Sequence, residues 1–311
     1  MIIKNLIKIN NCPICKSNKT IFKGLIRSKN KKIDNNFSLK LCKNCNHRFL
    51  SKFPKIKYLN SLYKKNSNYV FGHDASEESQ KKYFKKNGFK DVVSLNKHWI
   101  FKYIDFNNAK KYLEIGPGLC RMYKTFYEKG WKCNGIDLQP FIKAPGIVKS
   151  LKYIKKNTKN IAVAFDVIEH TTDPIELLNN INNKMKVGGL LFLTFPNADS
   201  YKSRLLNSSW SMVVPLAHIN FFSKKSCELA LNKSNFELIH ISSFSLVEPK
   251  RLIKNFIKLP AKLLLDIIKL DINSIFTRIS EFSMNILDLM HGDQMKVVAI
   301  KKRKLNHKLS Y

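Results

Sequence analysis

From Lys110 onward, short apolar runs alternate with amphipathic stretches, and the two periodicities predict alternating strands and helices. Apolar runs fit strands at Lys111–Ile115, Cys133–Leu138, Ile161–Ile168, Leu190–Phe195 and Phe236–Ser243, with a last one at Met295–Ile300. Between them Arg121–Lys129, Pro174–Met185 and Lys224–Asn235 read as helices, and Gly188-Gly189 is read as ending one helix before its strand. Such alternation implies a mostly parallel sheet with right-handed crossovers. Residues 249–291 interrupt it: Leu252, Phe256, Leu263 and Ile267 recur at helical spacing among lysines, and Pro260 breaks the stripe. Ahead of the alternation, 51–108 is polar, with helices expected near Glu77–Lys86 and Leu95–Tyr103. The chain is thereby divided into a unit at 1–50, a helical connector at 51–108, a core at 109–248, a basic amphipathic insertion at 249–291, and a last strand with a basic tail at 292–311.

The first strand of the core runs into Gly116-Pro117-Gly118, a helix follows, and the next strand ends at Asp137. Glycine lets backbone approach a ligand where a Cβ would collide, and an acid at that strand end accepts hydrogen bonds from ribose hydroxyls. The arrangement points to an adenosyl cofactor. A dinucleotide fingerprint wants a third glycine three residues after the second. Arg121 stands there, so hydride transfer loses its best support.

The unit at 1–50 carries Cys12-Pro13-Ile14-Cys15 and Cys42-Lys43-Asn44-Cys45. Two such knuckles bring four thiolates around one tetrahedral Zn²⁺ and supply folding energy that a thin core lacks. Four thiolates leave no open position, so the expected zinc is structural and His47, though close, is not needed as a ligand. Seven cysteines in all, with Cys120, Cys133 and Cys227 standing alone, read as metal binding in a reducing cytosol and not as a disulfide framework.

Charge changes the picture less than its size suggests. Net charge is +34, from 56 Lys and Arg against 22 Asp and Glu, in a chain of 311 residues. A basic surface invites nucleic acid, anionic membrane or anionic substrates, but the lysines are dispersed and form no single stripe. No run is long and uncharged enough to span a bilayer, and the first nine residues lack the apolar core of an export signal. A cytoplasmic protein is expected, with 250–290 as either a lid or dimer contact or a peripheral contact with the inner face of the membrane.

The acid and glycines at Glu114, Gly116 and Gly118 resemble motif I of class I S-adenosylmethionine-dependent methyltransferases, with Cys120 where glycine is commoner. Ala164–His170, followed by Asp173-Pro174, resembles the fourth-strand signature of a broad group of these enzymes. Val187–Asn197 resembles the fifth-strand motif, and His218–Ser223 the segment that leads into the next helix. The match in order and spacing runs from 110 to 245. It implies a Rossmann-like, doubly wound α/β sheet of seven strands, here with an N-terminal zinc ribbon and a helical insertion before the last strand. It also implies roles. Gly116 and Gly118 pass beneath the methionine part of the cofactor, Glu114 orients its ammonium group, Asp137 holds the ribose, and Asp166 belongs to the cofactor-binding set. The usual acid after the third strand is missing from Lys149–Lys159. A zinc unit ahead of such a domain resembles sugar methyltransferases of deoxysugar and surface-polysaccharide pathways.

Methyl transfer from a sulfonium is an in-line displacement in which positioning and desolvation dominate. A hydroxyl acceptor still has to lose a proton, and His170 or His218 is the expected base, with Glu169 orienting it. Tyr63, Tyr201 and Trp210 are candidates for a stacking wall under a sugar. An Asn/Asp-Pro-Pro-Tyr segment, expected of an adenine- or cytosine-modifying amino methyltransferase, is absent after the fourth strand. RNA methylated at ribose or a ring carbon is the second reading. A non-enzymatic zinc-binding interaction protein is the third, and it would not bind S-adenosylmethionine.

Overall fold

A computed structural model describes residues 5–26, 37–65, 98–107, 110–118, 120–138, 144–245, 257–260, 262–263, 266–267 and 272–303. The N-terminal part holds β1 (Leu6–Lys8), β2 (Thr20–Ile26), β3 (Phe37–Cys42), β4 (Arg48–Leu50), β5 (Lys52–Pro54) and α1 (Ile56–Lys65). The core begins with β6 (Lys111–Ile115), α2 (Arg121–Glu128), β7 (Lys132–Ile136), β8 (Ile147–Val148) and β9 (Lys159–Phe165). It continues with α3 (Pro174–Lys184), β10 (Met185–Pro196), α4 (Tyr201–Leu206), β11 (Asn220–Phe221) and α5 (Lys224–Lys233). The last elements are β12 (Phe236–Phe244), α6 (Ile272–His291) and β13 (Gln294–Lys301).

Seven strands form one sheet in the order β12-β13-β10-β9-β6-β7-β8. β13 runs antiparallel to both neighbours, and the other neighbouring pairs are parallel. The chain winds outward from β6 in both directions, so a crevice opens at the carboxyl ends of β6 and β9, where doubly wound sheets bind ligands. Period-two alternation sorts the side chains. Leu113, Ala162, Ala164, Leu191 and Leu193 pack with Leu178 and Ile181 of α3 and Leu231 of α5. Tyr112, Ile161, Val163 and Phe192 face the other way, onto Tyr123 and Phe126 of α2 and onto Ile100 and Phe101 of the 3-10 turn Trp99–Tyr103. Tyr112 lies flat on Phe126, with ring centroids 4.0 Å apart. Each large side chain removed from water on either face contributes roughly 1.5–3 kcal/mol.

Some expectations shift. The fourth core strand stops at Phe165, because Asp166 takes a φ of +54° and Ile168–His170 coil into a 3-10 turn. The short strand β8 lies at the sheet edge and gave no apolar run to read. Gly188-Gly189 does not end a helix. α3 ends at Lys184, and the two glycines sit inside β10, where its register with β9 breaks between Met185 and Leu190. Gly188, at φ +77°, supplies the left-handed step of that bulge. α3 starts as its sequence implies: the Asp173 carboxylate accepts from the Glu176 amide at 2.9 Å and Pro174 occupies the first turn. The helix expected near Glu77–Lys86 lies outside the described residues, as does the start of that near Leu95–Tyr103.

The zinc unit is sewn into the core. β11 pairs with β4, giving a four-stranded sheet β11-β4-β3-β2 built from both parts of the chain. The Arg48 guanidinium, buried, donates to the Ser203 carbonyl at 2.6 Å and to its hydroxyl at 2.9 Å. The Ser223 hydroxyl donates to the Cys45 carbonyl at 3.1 Å, and Lys233 Nζ to the Ile14 carbonyl at 2.9 Å.

Candidate active site

β6 delivers the chain to Gly116, whose φ is +66° and whose missing Cβ would lie 2.9 Å from Val167 Cγ2. Gly118, at φ +49°, and Cys120, at φ +55°, carry this left-handed path into α2. For Cys120 that backbone costs an L-residue about 1–2 kcal/mol, which is why glycine suits the position better. The Gly116 amide donates to the Ile136 carbonyl at 2.8 Å and so ties the turn to the strand that presents half-buried Asp137. Gly116→Ala is expected to push Val167 aside, lower the melting temperature by a few degrees, and weaken S-adenosylhomocysteine binding at least tenfold by calorimetry.

Glu114 is buried and accepts from the Tyr112 hydroxyl at 2.7 Å. Burial pushes its carboxyl up to about 8, against the opposing effect of the Tyr112 bond. A carboxylate in such a place calls for a cationic partner, and the space left by Gly116 is a cradle that a Cβ would fill. Both features fit an S-adenosylmethionine cation. Asp166 is reached by solvent but surrounded by protein, as at the floor of a crevice; desolvation raises its carboxyl. Thr194 Oγ1 donates to Asp166 Oδ1 at 3.0 Å and fixes its orientation.

The 3-10 turn after β9 brings Glu169 and His170 against His218. Their donor atoms all lie within 4.8 Å of one another, and the two imidazole centroids are 4.8 Å apart. His170 Nδ1 donates to the Ala217 carbonyl at 2.9 Å, and His218 Nδ1 to the Met212 carbonyl at 2.7 Å. The His170 ring also lies against the Asp166 carbonyl. Burial lowers both imidazoles, His170 to about 3, and pushes Glu169 well above the carboxylate range. Glu169 Oε2 is buried with no hydrogen-bond partner. Three hydrogen bonds to backbone carbonyls hold the group: Ile219 N to the Glu169 carbonyl at 2.9 Å, Asn220 Nδ2 to the Thr171 carbonyl at 2.7 Å, and the Ala217 bond already named.

The four zinc-unit cysteines converge as expected. Cys12 Sγ and Cys45 Sγ are 3.5 Å apart, Cys15 Sγ and Cys42 Sγ 3.4 Å, and all four lie within 4.8 Å. Thiolates about 2.3 Å from one tetrahedral ion stand at close to this separation, so the residues fit Zn²⁺. The hydrogen bond from Cys45 lowers the Cys12 thiol well below its ordinary range. His47 is not among the sulfurs' ring of donors. It is fully buried, and its Nε2 pairs with Asn220 Oδ1 at 3.1 Å, its Nδ1 with Ser226 Oγ at 3.4 Å.

Several residues at this edge carried no sequence signal. His98, late in the connector, sits in an aromatic box with Trp99, Phe101 and Phe165, its Nδ1 unpartnered, and burial lowers it to about 4. Tyr112, Val167 and Thr194 matter through what they hold, which strand patterning cannot reveal. Of the expected stacking wall, Trp210 is core, packed on Phe221 at 5.9 Å, whereas Tyr201 is exposed with its ring against His291. The Tyr63 side chain lies outside the described residues. A cleft of about 280 Å³ lies between the first knuckle and the turn after His170, lined by Lys8, Asn10, Lys16, Phe53, Thr172 and Asp173. A smaller one, about 170 Å³, lies at the opposite edge of the strands, beside Lys110, Asn160 and Gly188, away from this chemistry.

A family described as a methyltransferase domain matches residues 94–241. No curated protein matches the chain. Among solved structures, phosphoethanolamine N-methyltransferase 2 of Haemonchus contortus with S-adenosyl-L-methionine is similar at TM-score 0.48 and 15% identity. The similarity covers 82% of this chain and 63% of that one. A SAM dependent methyltransferase from Archaeoglobus fulgidus is similar at TM-score 0.42 and 16% identity, over 73% of this chain and 95% of that one.

Proposed function

We propose that this chain, which matches a methyltransferase domain family over residues 94–241, is a methyltransferase whose acceptor is a hydroxyl of a sugar or glycan precursor. The methyl donor is S-adenosylmethionine. The observation that carries the reading is convergence: the glycine turn, Asp137 and Asp166 lie at the same carboxyl edge of the sheet as Glu169, His170 and His218. In this reading Gly116 and Gly118 pass beneath the methionine part, Glu114 meets its ammonium, and Asp137 holds the ribose. The acceptor approaches from the zinc side, where Lys8 and Lys16 line the cleft next to Thr172 and suit the phosphates of a nucleotide-linked sugar. His218 is the better-placed base, since its Nδ1 is committed to Met212 and Nε2 keeps its lone pair. His170 braces it, and Glu169 orients the pair.

Radiolabelled methyl transfer to nucleotide sugars, compared with structured RNA, tests the acceptor. RNA as the better substrate would replace the sugar reading; the +34 charge and the zinc unit are what favour it. Absence of S-adenosylhomocysteine binding would leave only a zinc-binding interaction protein.

Glu114 gives the cofactor step a pH signature. Its carboxyl, raised to about 8 in the fold, must ionise to pair with an ammonium. Cofactor affinity measured by calorimetry is therefore expected to rise between pH 6.5 and 8 in the wild type and to stay flat in Glu114→Gln. Fold stability runs the other way. Between 4.5 and about 8 the folded state holds the extra proton, so ligand-free stability falls as pH rises through that window.

No helix among the described residues is long and apolar enough to cross a membrane. On α6, Ile272, Ile279 and Ile286 are exposed at seven-residue intervals, with Lys258 and Lys262 upstream. This stripe supports peripheral contact with an anionic membrane carrying a lipid-linked acceptor. Failure to sediment with anionic liposomes would remove that part of the reading.

A further inference from the structure

We propose that the cleft at the amino ends of β6, β7, β9 and β10 is a separate binding site, taking a phosphate group that is either free or carried by a small monoester. It lies at the edge of the sheet opposite the methyl-transfer chemistry. Its occupant is therefore neither donor nor acceptor, and the inference goes beyond the reading above without resting on it.

The starts of four strands meet here. Lys110 precedes β6, Trp131 precedes β7, Asn160 lies at the start of β9, and Lys186 follows the first residue of β10. Trp131 lines the cleft, is 3% exposed, and its indole Nε1–H has no hydrogen-bond partner. An N–H sealed from water without an acceptor is destabilising, and an oxygen entering the cleft removes that penalty. The ring is wedged against Phe106 and Phe126, with centroids 5.6 and 5.0 Å away, so it is not free to turn toward another partner. An indole nitrogen only donates, so what completes it is an acceptor and not a cation. The charges agree. Lys110 and Lys186 line the same cleft, and neither has a hydrogen bond or ion pair among the described residues. The acid among the lining residues, Asp105, already accepts from the Asn107 amide at 2.9 Å. Asn160 Oδ1 accepts from the Lys111 amide at 3.2 Å, which leaves its Nδ2 as a further donor.

Backbone and size narrow the ligand. Residues 186–189 stand opposite Asn160 alone, because pairing with β9 breaks between Met185 and Leu190 and pairing with β13 begins only at Leu190. A Cβ on Gly188 would meet nothing within 4 Å, so this unladdered stretch is open to a ligand. The cleft holds about 170 Å³, below the roughly 300 Å³ at which ordinary small-molecule sites begin, so a nucleotide is too large. A phosphate carries several strong acceptor oxygens on one centre, which suits two ammonium groups and an N–H better than the two oxygens of a carboxylate. Tyr103 and Ile104 supply an apolar wall for the carbon body of a small ester.

The test follows the indole N–H magnetic resonance signal of Trp131 in the full-length, zinc-loaded protein, identified by its loss in Trp131→Phe. Inorganic phosphate and glycerol phosphate are titrated separately at fixed ionic strength. A saturable, single-site shift of the Trp131 signal is expected, while those of Trp99 and Trp210 stay in place. Lys110→Gln and Lys186→Gln are each expected to weaken binding about fivefold or more. Both variants should melt within about two degrees of the wild type, since neither side chain holds the fold. Tighter binding of glycerol phosphate assigns the site to an ester and tighter inorganic phosphate to the free ion, and either supports it. No saturable shift with either probe, an equal shift of all three indoles, or wild-type affinity in both lysine variants would overturn the site. Neither methyl donor nor acceptor enters the experiment, so such a failure leaves the methyltransferase reading intact.

Discussion

Asp137→Ala is expected to weaken S-adenosylhomocysteine binding by roughly 30- to 100-fold, read by calorimetry on the purified chain. The size follows from the contact. A carboxylate that accepts from both ribose hydroxyls makes two charge-assisted hydrogen bonds, and their loss costs about 2–3 kcal/mol, with each 1.4 kcal/mol worth a factor of ten. The fold should survive. The backbone of Asp137 is held independently of its side chain, its amide donating to the Val148 carbonyl at 3.1 Å. The melting temperature of the ligand-free variant is therefore expected to stay within about two degrees of the wild type. Unchanged affinity would remove the role given to Asp137. No binding by folded wild type would remove the donor itself, and with it the reading of Gly116 and Gly118.

The second large effect is on stability. Cys42→Ser, which removes one of the four thiolates, should lose the zinc and lower the melting temperature by about 10 °C or more. Loss of a structural metal is among the few changes that cost over about 4 kcal/mol. Here the loss should spread beyond the knuckles, because β4 pairs with β11 of the core and His47 sits between the cysteines and Asn220. Asn220 in turn holds the Thr171 carbonyl, next to His170. Zinc content by emission spectroscopy, unfolding by calorimetry and proteolysis after Lys43 together check the prediction. A variant that loses zinc yet melts like the wild type would show that the ribbon folds without its metal. Chelation of the wild-type zinc should reproduce the effect reversibly.

How much of this could be read from the chain depends on how local each feature is. The strand Lys111–Ile115 was legible to the residue, because a short run carrying Tyr112, Leu113 and Ile115 and ending in glycine is a local signal. The helices Arg121–Glu128 and Lys224–Lys233 were legible to within one or two residues for the same reason. The edge strand Ile147–Val148 was not, since two residues cannot show a period. Gly188 was misread for a related reason: a glycine just past a helix and a glycine in a bulge look alike in sequence. Only pairing with β9 and the break at Leu190 separate them. At the site, Glu114, Asp137 and the glycines announce themselves by spacing along one strand–turn–helix unit. His98 does not, because its box is assembled from Trp99 and from Phe165, sixty-odd positions away, and nothing in a polar connector marks it.

The sequence by itself determined the strand–turn–helix around Gly116–Gly118 and the two cysteine knuckles, since both are fixed by residues a few positions apart. Tertiary structure decided the rest. It set His218 against Glu169 and His170, tied each imidazole to its own carbonyl, and left Glu169 buried with an orphaned oxygen. It also joined the zinc unit to the core through His47 and Asn220, residues 173 positions apart. The physical reason is the same in each case. Whether an imidazole is a base, a brace or a ligand depends on which carbonyl its other nitrogen meets and how much water surrounds it, and distant chain segments set both only when they pack.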